Sequence, residues 1–60
     1  MELVIGNEYK FIHSSSVMVY VGKSNQWYQF ELVSDRGIVW CEMLDEDLDL
    51  LELPNQLNGE

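Results

Sequence analysis

One cysteine, one proline, one histidine and three basic residues are all that this chain of 60 residues holds of those types. Each scarcity excludes something. Cys41 has no second thiol to pair with inside the chain, so the disulfides that usually staple very small domains are ruled out. With His13 as the only imidazole, a structural zinc site of four Cys and His ligands cannot be assembled. No apolar run approaches membrane-spanning length. Met1 to Asn7 lacks the positive flank and long apolar stretch of a secretory signal, which predicts a cytoplasmic protein with no membrane partner. The unpaired thiol agrees with a reducing compartment.

Positive charge is equally scarce. Lys10, Lys23 and Arg36 face eleven acids, for a net charge of −8. The imbalance is local: residues 1–40 carry four acids against three bases, whereas residues 41–60 carry seven acids and neither Lys nor Arg. A field of that sign repels phosphate, so direct binding of nucleic acid is not expected. The acidic third is read either as a solvated, solubilising face or as a surface that engages a basic groove on another protein.

What remains is apolar and aromatic. Hydrophobic residues make up 47% of the chain, with seven aromatic rings at Tyr9, Phe11, Tyr20, Trp27, Tyr28, Phe30 and Trp40. That supply is enough for a core, although a chain this short buries only about 60% of the surface its unfolded form exposes.

The apolar residues fall in short runs, rich in β-branched and aromatic side chains and cut by turn residues, the pattern of strands. The runs predict strands at Glu8 to His13, Val17 to Lys23, Trp27 to Val33 and Ile38 to Met43, with a short closing strand at Leu50 to Leu53 before Pro54. Alternation assigns faces. Tyr28, Phe30 and Leu32 are expected inside, opposite Trp27, Gln29 and Glu31. Val39, Cys41 and Met43 share a face opposite Ile38, Trp40 and Glu42, and a wet Glu42 would push Trp40 outward. Whether Trp40 finishes the core or lies on the surface stays open. Tyr9, Phe11, Val17, Val19 and Val21 are expected to complete the core.

Leu44, Leu48 and Leu51 have helical spacing, but about nine residues make a marginal helix without tertiary support. One turn of 3₁₀ or α helix at Asp45 to Leu48, followed by a strand, is favoured. A longer helix, capped by Asp45 and ended by Pro54, is the alternative.

Five short strands with a helical turn before the last resemble the SH3-like small β-barrel. Ser14 to Ser16, Ser24 to Gln26 and Ser34 to Gly37 would then be connecting loops, residues 1–53 a single SH3-like domain, and residues 54–60 a flexible acidic tail. Trp27-Tyr28 is the one point of contact with the motifs of peptide-binding SH3 domains. The first loop is serine-rich rather than acidic, and the Pro-x-x-Tyr before the last strand is missing, so recognition of proline-rich peptides is not implied. A second resemblance rests on Val19-Tyr20-Val21-Gly22, Trp27-Tyr28-Gln29-Phe30-Glu31, Gly37-Ile38-Val39-Trp40-Cys41-Glu42 and Leu44-Asp45-Glu46-Asp47-Leu48. These segments are similar to the small uncharacterised accessory proteins of tailed bacteriophages. That likeness implies a role in the cytoplasm of an infected host, on a host protein, and identifies no site residue.

No catalytic set is expected. His13 stands beside Ser14, Ser15 and Ser16, but adjacent residues rarely offer nucleophile, base and oxyanion site together, and His13 reads as a strand-end residue. Cys41 has no basic neighbour to stabilise a thiolate and reads as a small buried hydrophobe. Asp45, Asp47 and Asp49 alternate like the start of a calcium loop, yet Leu50 and Gln56 occupy the positions that need Gly and Glu. The four glycines are isolated, so no phosphate-cradling loop is present. No cofactor or metal is implied.

The chain is therefore expected to bind a protein partner without catalysis. Trp27, Trp40 and Tyr20 would form an aromatic patch bordered by Gln29, Glu31 and Glu42, the composition of binding hot spots. Alternatively Glu42, Asp45, Glu46, Asp47 and Asp49 would imitate a phosphate row and occupy a basic groove of a nucleic-acid-binding protein. A homodimer formed through edge strands is the third possibility.

Overall fold

A computed structural model of the chain describes residues 2–54. These residues form one antiparallel sheet of five strands with little helix: β1 (Glu8–Phe11), β2 (Val17–Ser24), β3 (Trp27–Leu32), β4 (Cys41–Met43) and β5 (Leu51–Glu52). A 3₁₀ segment, Asp45–Leu50, sits between β4 and β5. The spatial order is β4-β3-β2-β1-β5, so β4 and β5 are the two edges. The reading of residues 54–60 as a tail falls, Pro54 apart, outside the described residues.

The β2–β3 hairpin is closed by the pair Ser24 and Trp27, leaving a two-residue loop. Such loops demand positive φ at their first central position. Asn25 supplies it at +56°, and asparagine visits that region more readily than most residues. Beyond β1, the chain turns earlier than expected. Strand pairing stops at Phe11, and His13 lies in the turn at φ +70° rather than at a strand end. Ser14 N–H donates to the Phe11 carbonyl there, and Ile12 N–H to that of Leu50.

The core lies on one side of the sheet. Tyr9, Met18, Tyr20, Phe30, Met43, Leu48 and Leu51 form a buried cluster, with Leu3, Phe11, Tyr28, Leu32 and Cys41 packed around it. Tyr9 meets Phe30 edge to face at 6.3 Å, and Tyr20 lies 5.4 Å from the same ring. The Tyr9 hydroxyl accepts a hydrogen bond from Val4 N–H at 3.0 Å, which satisfies a buried polar tip and ties down the N-terminal segment. On the opposite side, the half-buried Lys10 ammonium pairs with Glu52 and donates to the Ser14 carbonyl, joining β1 to β5 and to the turn.

Three expectations need correction. In β2 the core residues are Met18 and Tyr20, not Val17, Val19 and Val21. Val19 is buried, but on the other face between Glu8 and Glu31, while Val17 and Val21 are half-buried. The strand holds a bulge between Tyr20 and Gly22 that reverses alternation halfway along, and an extra residue of this kind is what shifts the faces. Next, β4 begins at Cys41 rather than Ile38, because Ile38 to Trp40 run without ladder pairing and Val39 is exposed. Finally, the helical turn extends through Leu50, confining β5 to Leu51–Glu52. Its N-cap is Leu44, with no side-chain cap; the Asp45 carboxylate instead accepts from the Tyr28 hydroxyl at 3.1 Å. Buried Leu48 anchors the segment to the core, which is the tertiary support that so short a helix requires.

Candidate functional site

Among the described residues nothing pairs with the outer edge of β4. The chain arrives at this edge through Ile38, Val39 and Trp40, which are 65%, 42% and 48% exposed. Burying a large apolar side chain is worth about 1.5–3 kcal/mol, so three consecutive exposed ones forgo a substantial gain for a protein of this size. Local bonds hold the run in place. The Glu31 carboxylate accepts from Arg36 Nε at 2.8 Å and from Gly37 N–H at 3.0 Å, while Trp40 N–H donates to the Phe30 carbonyl at 2.8 Å. Gly37 stands at φ +101°, a backbone state that L side chains rarely adopt, and turns the chain back alongside β3.

These contacts make the loop's anchoring sensitive to acid. Arg36 foremost, with the Gly37 amide behind it, lowers the Glu31 carboxyl below its ordinary value of 4.5. A group with a depressed folded-state pKa contributes its full stabilisation above the unfolded value and loses it as pH falls through the folded one. The Gly37 amide is therefore expected to be protected from hydrogen exchange at neutral pH and to lose that protection as pH drops below 4.5. Glu31→Gln should remove the pH dependence. Protection that stays constant into acid in the native protein would show that Glu31 does not hold the loop.

The expected aromatic patch is not gathered in one place. Trp40 is on the surface, as the wet Glu42 implied, and Trp27 is 38% exposed at the far end of β3. Their attachment points lie three strand positions apart along β3, roughly 10 Å. Between the two ends, Gln29 Nε2 donates to Glu42 Oε2 at 2.7 Å, so polar groups separate the rings rather than border them. Tyr20 does not belong to any surface patch: it is 6% exposed, tilted against Tyr28 at 6.0 Å and Phe30 at 5.4 Å. Burial, above all, raises its hydroxyl pKa.

The acids lie where β4 continues into the 3₁₀ segment. Glu42, Asp45, Glu46 and Asp49 are exposed and Asp47 is half-buried. None has a cationic partner among the described residues, whose ion pairs are Lys10 with Glu52 and Arg36 with Glu31. No three of the described His, Cys, Asp and Glu residues are grouped to hold a metal ion. Cys41 is half-buried on β4, and burial, then the charge of Glu42, pushes its thiol pKa up, the opposite of what a reactive thiolate needs.

An open hollow of about 400 Å³ lies elsewhere, lined by Ser15, Ser16, Val17, Leu32, Val33 and Ser34, with no charged side chain in its wall. Ile38 and Val39 were the residues missed by the sequence reading of the site. Their signal was present: the uninterrupted run Ile38-Val39-Trp40-Cys41 lacks the alternation of a half-buried strand. No family model, curated protein or solved structure matches this chain.

Proposed function

We propose that this protein is a non-catalytic protein-binding module that meets its partner through the β4 edge. The observation that carries the reading is the exposed run Ile38-Val39-Trp40, placed on an open edge and followed directly by acids without cationic partners. Apolar anchors in a polar surround are what protein interfaces use. The strand order, with a 3₁₀ segment before the last strand, supports the SH3-like small-barrel reading. With the resemblance to phage accessory proteins, the partner is a host protein and the site of action the host cytoplasm.

The test is affinity capture from bacterial lysate with the native chain, Trp40→Ala, Trp27→Ala and the triple variant Glu46→Gln, Asp47→Asn, Asp49→Asn. It is run at about 0.1 M and about 0.5 M salt, over which the screening length roughly halves. A partner lost with Trp40→Ala and kept with Trp27→Ala is expected. Capture unchanged by Trp40→Ala would remove the β4 edge from the interface.

The unpaired carboxylates from Glu42 to Asp49 favour a second reading, an acidic mimic of nucleic acid seated in a basic groove. A partner released by high salt and by the acid-neutralised variant, but indifferent to Trp40→Ala, would put that reading first. A homodimer is disfavoured by a charge of −8 on each copy.

A further inference from the structure

We infer that the partner binds as an added strand on β4, and that the segment it contributes is extended, with basic residues alternating with apolar ones. This rests on the protein-binding reading and specifies its mode. An edge strand presents unpaired N–H and C=O groups on its outer side, ready to continue the sheet. The stretch Trp40 to Met43 runs alongside β3, held by the Trp40 amide and the β4 ladder, and four residues span about 13 Å, enough for a short added strand. The other edge is less suited: β5 has two residues, with Pro54 two positions further on.

Charge selects the occupant. The chain enters β4 through the exposed Ile38, Val39 and Trp40, carries exposed Glu42 within it and leaves it into the exposed Asp45, Glu46 and Asp49. Short length and a charged side chain are devices by which proteins keep edge strands from pairing with their own kind, and β4 has both, with three residues and Glu42 in the middle. A second copy brings the same acids. A segment carrying Lys or Arg neutralises them, and its cations have the exposed Trp40 ring to lie over.

The probe is a blocked octapeptide, Lys-Val-Arg-Val-Lys-Val-Arg-Val, titrated into the full chain and followed by backbone amide shifts and hydrogen exchange. Two N-methylated forms, one methylated at the valines and one at the basic residues, each block one edge of the peptide, because alternate amides point to opposite edges. Binding localised to residues 38–46, with one methylated form weakened about tenfold or more and the other little changed, is the expected result. Glu42→Lys should weaken the basic peptide and favour its acidic counterpart, in which Glu replaces Lys and Arg.

Equal binding by both methylated forms would overturn strand addition, since only side chains would then be recognised. Absence of binding by the unmethylated peptide would overturn it too. If the lysate partner still depends on Trp40 in either case, the mode is wrong and the binding function stands; if that dependence is also missing, the functional reading falls with it. Concentration-dependent protection of β4 in the free protein would make a second copy the occupant and reject the basic strand.

Discussion

Phe30→Ala is expected to abolish the cooperative unfolding transition at room temperature, leaving a chain without near-ultraviolet circular dichroism. Phe30 is fully buried at the centre of β3, between Tyr20 on β2 and Cys41 on β4. Tyr9 packs nearly perpendicular to the same ring. Truncating a buried phenylalanine costs about 3–5 kcal/mol, because transfer energy is lost and a cavity is left behind. A core in a domain of this size rarely supplies more than about 3–5 kcal/mol of net stability, so one substitution consumes the whole margin. Trp27→Ala removes a larger side chain from an exposed position and should move a urea midpoint only slightly. The pair separates burial from aromatic content. A Phe30→Ala protein that still melts cooperatively near the native midpoint would mean that the core is centred elsewhere.

The elements themselves were legible because their signals are local. Turn residues at Gly6-Asn7, Ser14 to Ser16 and Ser34 to Gly37 bracket β-branched and aromatic runs, and β1 to β3 begin where the pattern predicts. Tyr9 and Phe30 were assigned inward correctly because alternation in β1 and β3 is unbroken. In β2 it is broken, and three valines at every second position gave a false face. The cue was Gly22: glycine within a strand pattern marks a bulge. At β4 the difficulty was different. Both faces of Ile38 to Met43 carry apolar groups, so period alone could not say that pairing starts only at Cys41.

The candidate site was legible in part for a related reason. Glu42 pushed Trp40 outward without deciding its place, and the exposure of Glu42, Asp45, Glu46 and Asp49 agrees with their charge. Edge position could not be read, because it depends on which strands pair across the sheet, and that order is settled by contacts distant in sequence. Tyr20 was hidden because both faces of Val17 to Val21 are apolar, so alternation alone could not choose Met18 and Tyr20 over the three valines.

Gly22→Ala is the sharpest test of that bulge, and it should destabilise the protein by about 1–3 kcal/mol. Where the backbone suits alanine, the same change stabilises by about 0.4–1 kcal/mol through the unfolded chain, so the sign decides. Space is not the obstacle: an added Cβ would meet Ile5 Cδ1 at 3.9 Å, an ordinary contact. Conformation is. Gly22 sits at φ +134°, which L residues rarely adopt. The bulge lets Tyr20 face Phe30 while, three residues on, Lys23 still pairs with Tyr28, its ammonium 4.6 Å from the ring centroid, and Asn25-Gln26 closes the hairpin. Without it, pairing on one side of Val21 must slip by one residue, sending either the core set or the hairpin set to the wrong face. Urea denaturation of Gly22→Ala and of a synthetic Gly22→D-Ala chain isolates the cause, because D residues favour positive φ. The D form should recover most of the loss. Equal destabilisation by both would leave backbone strain with no part in the cost.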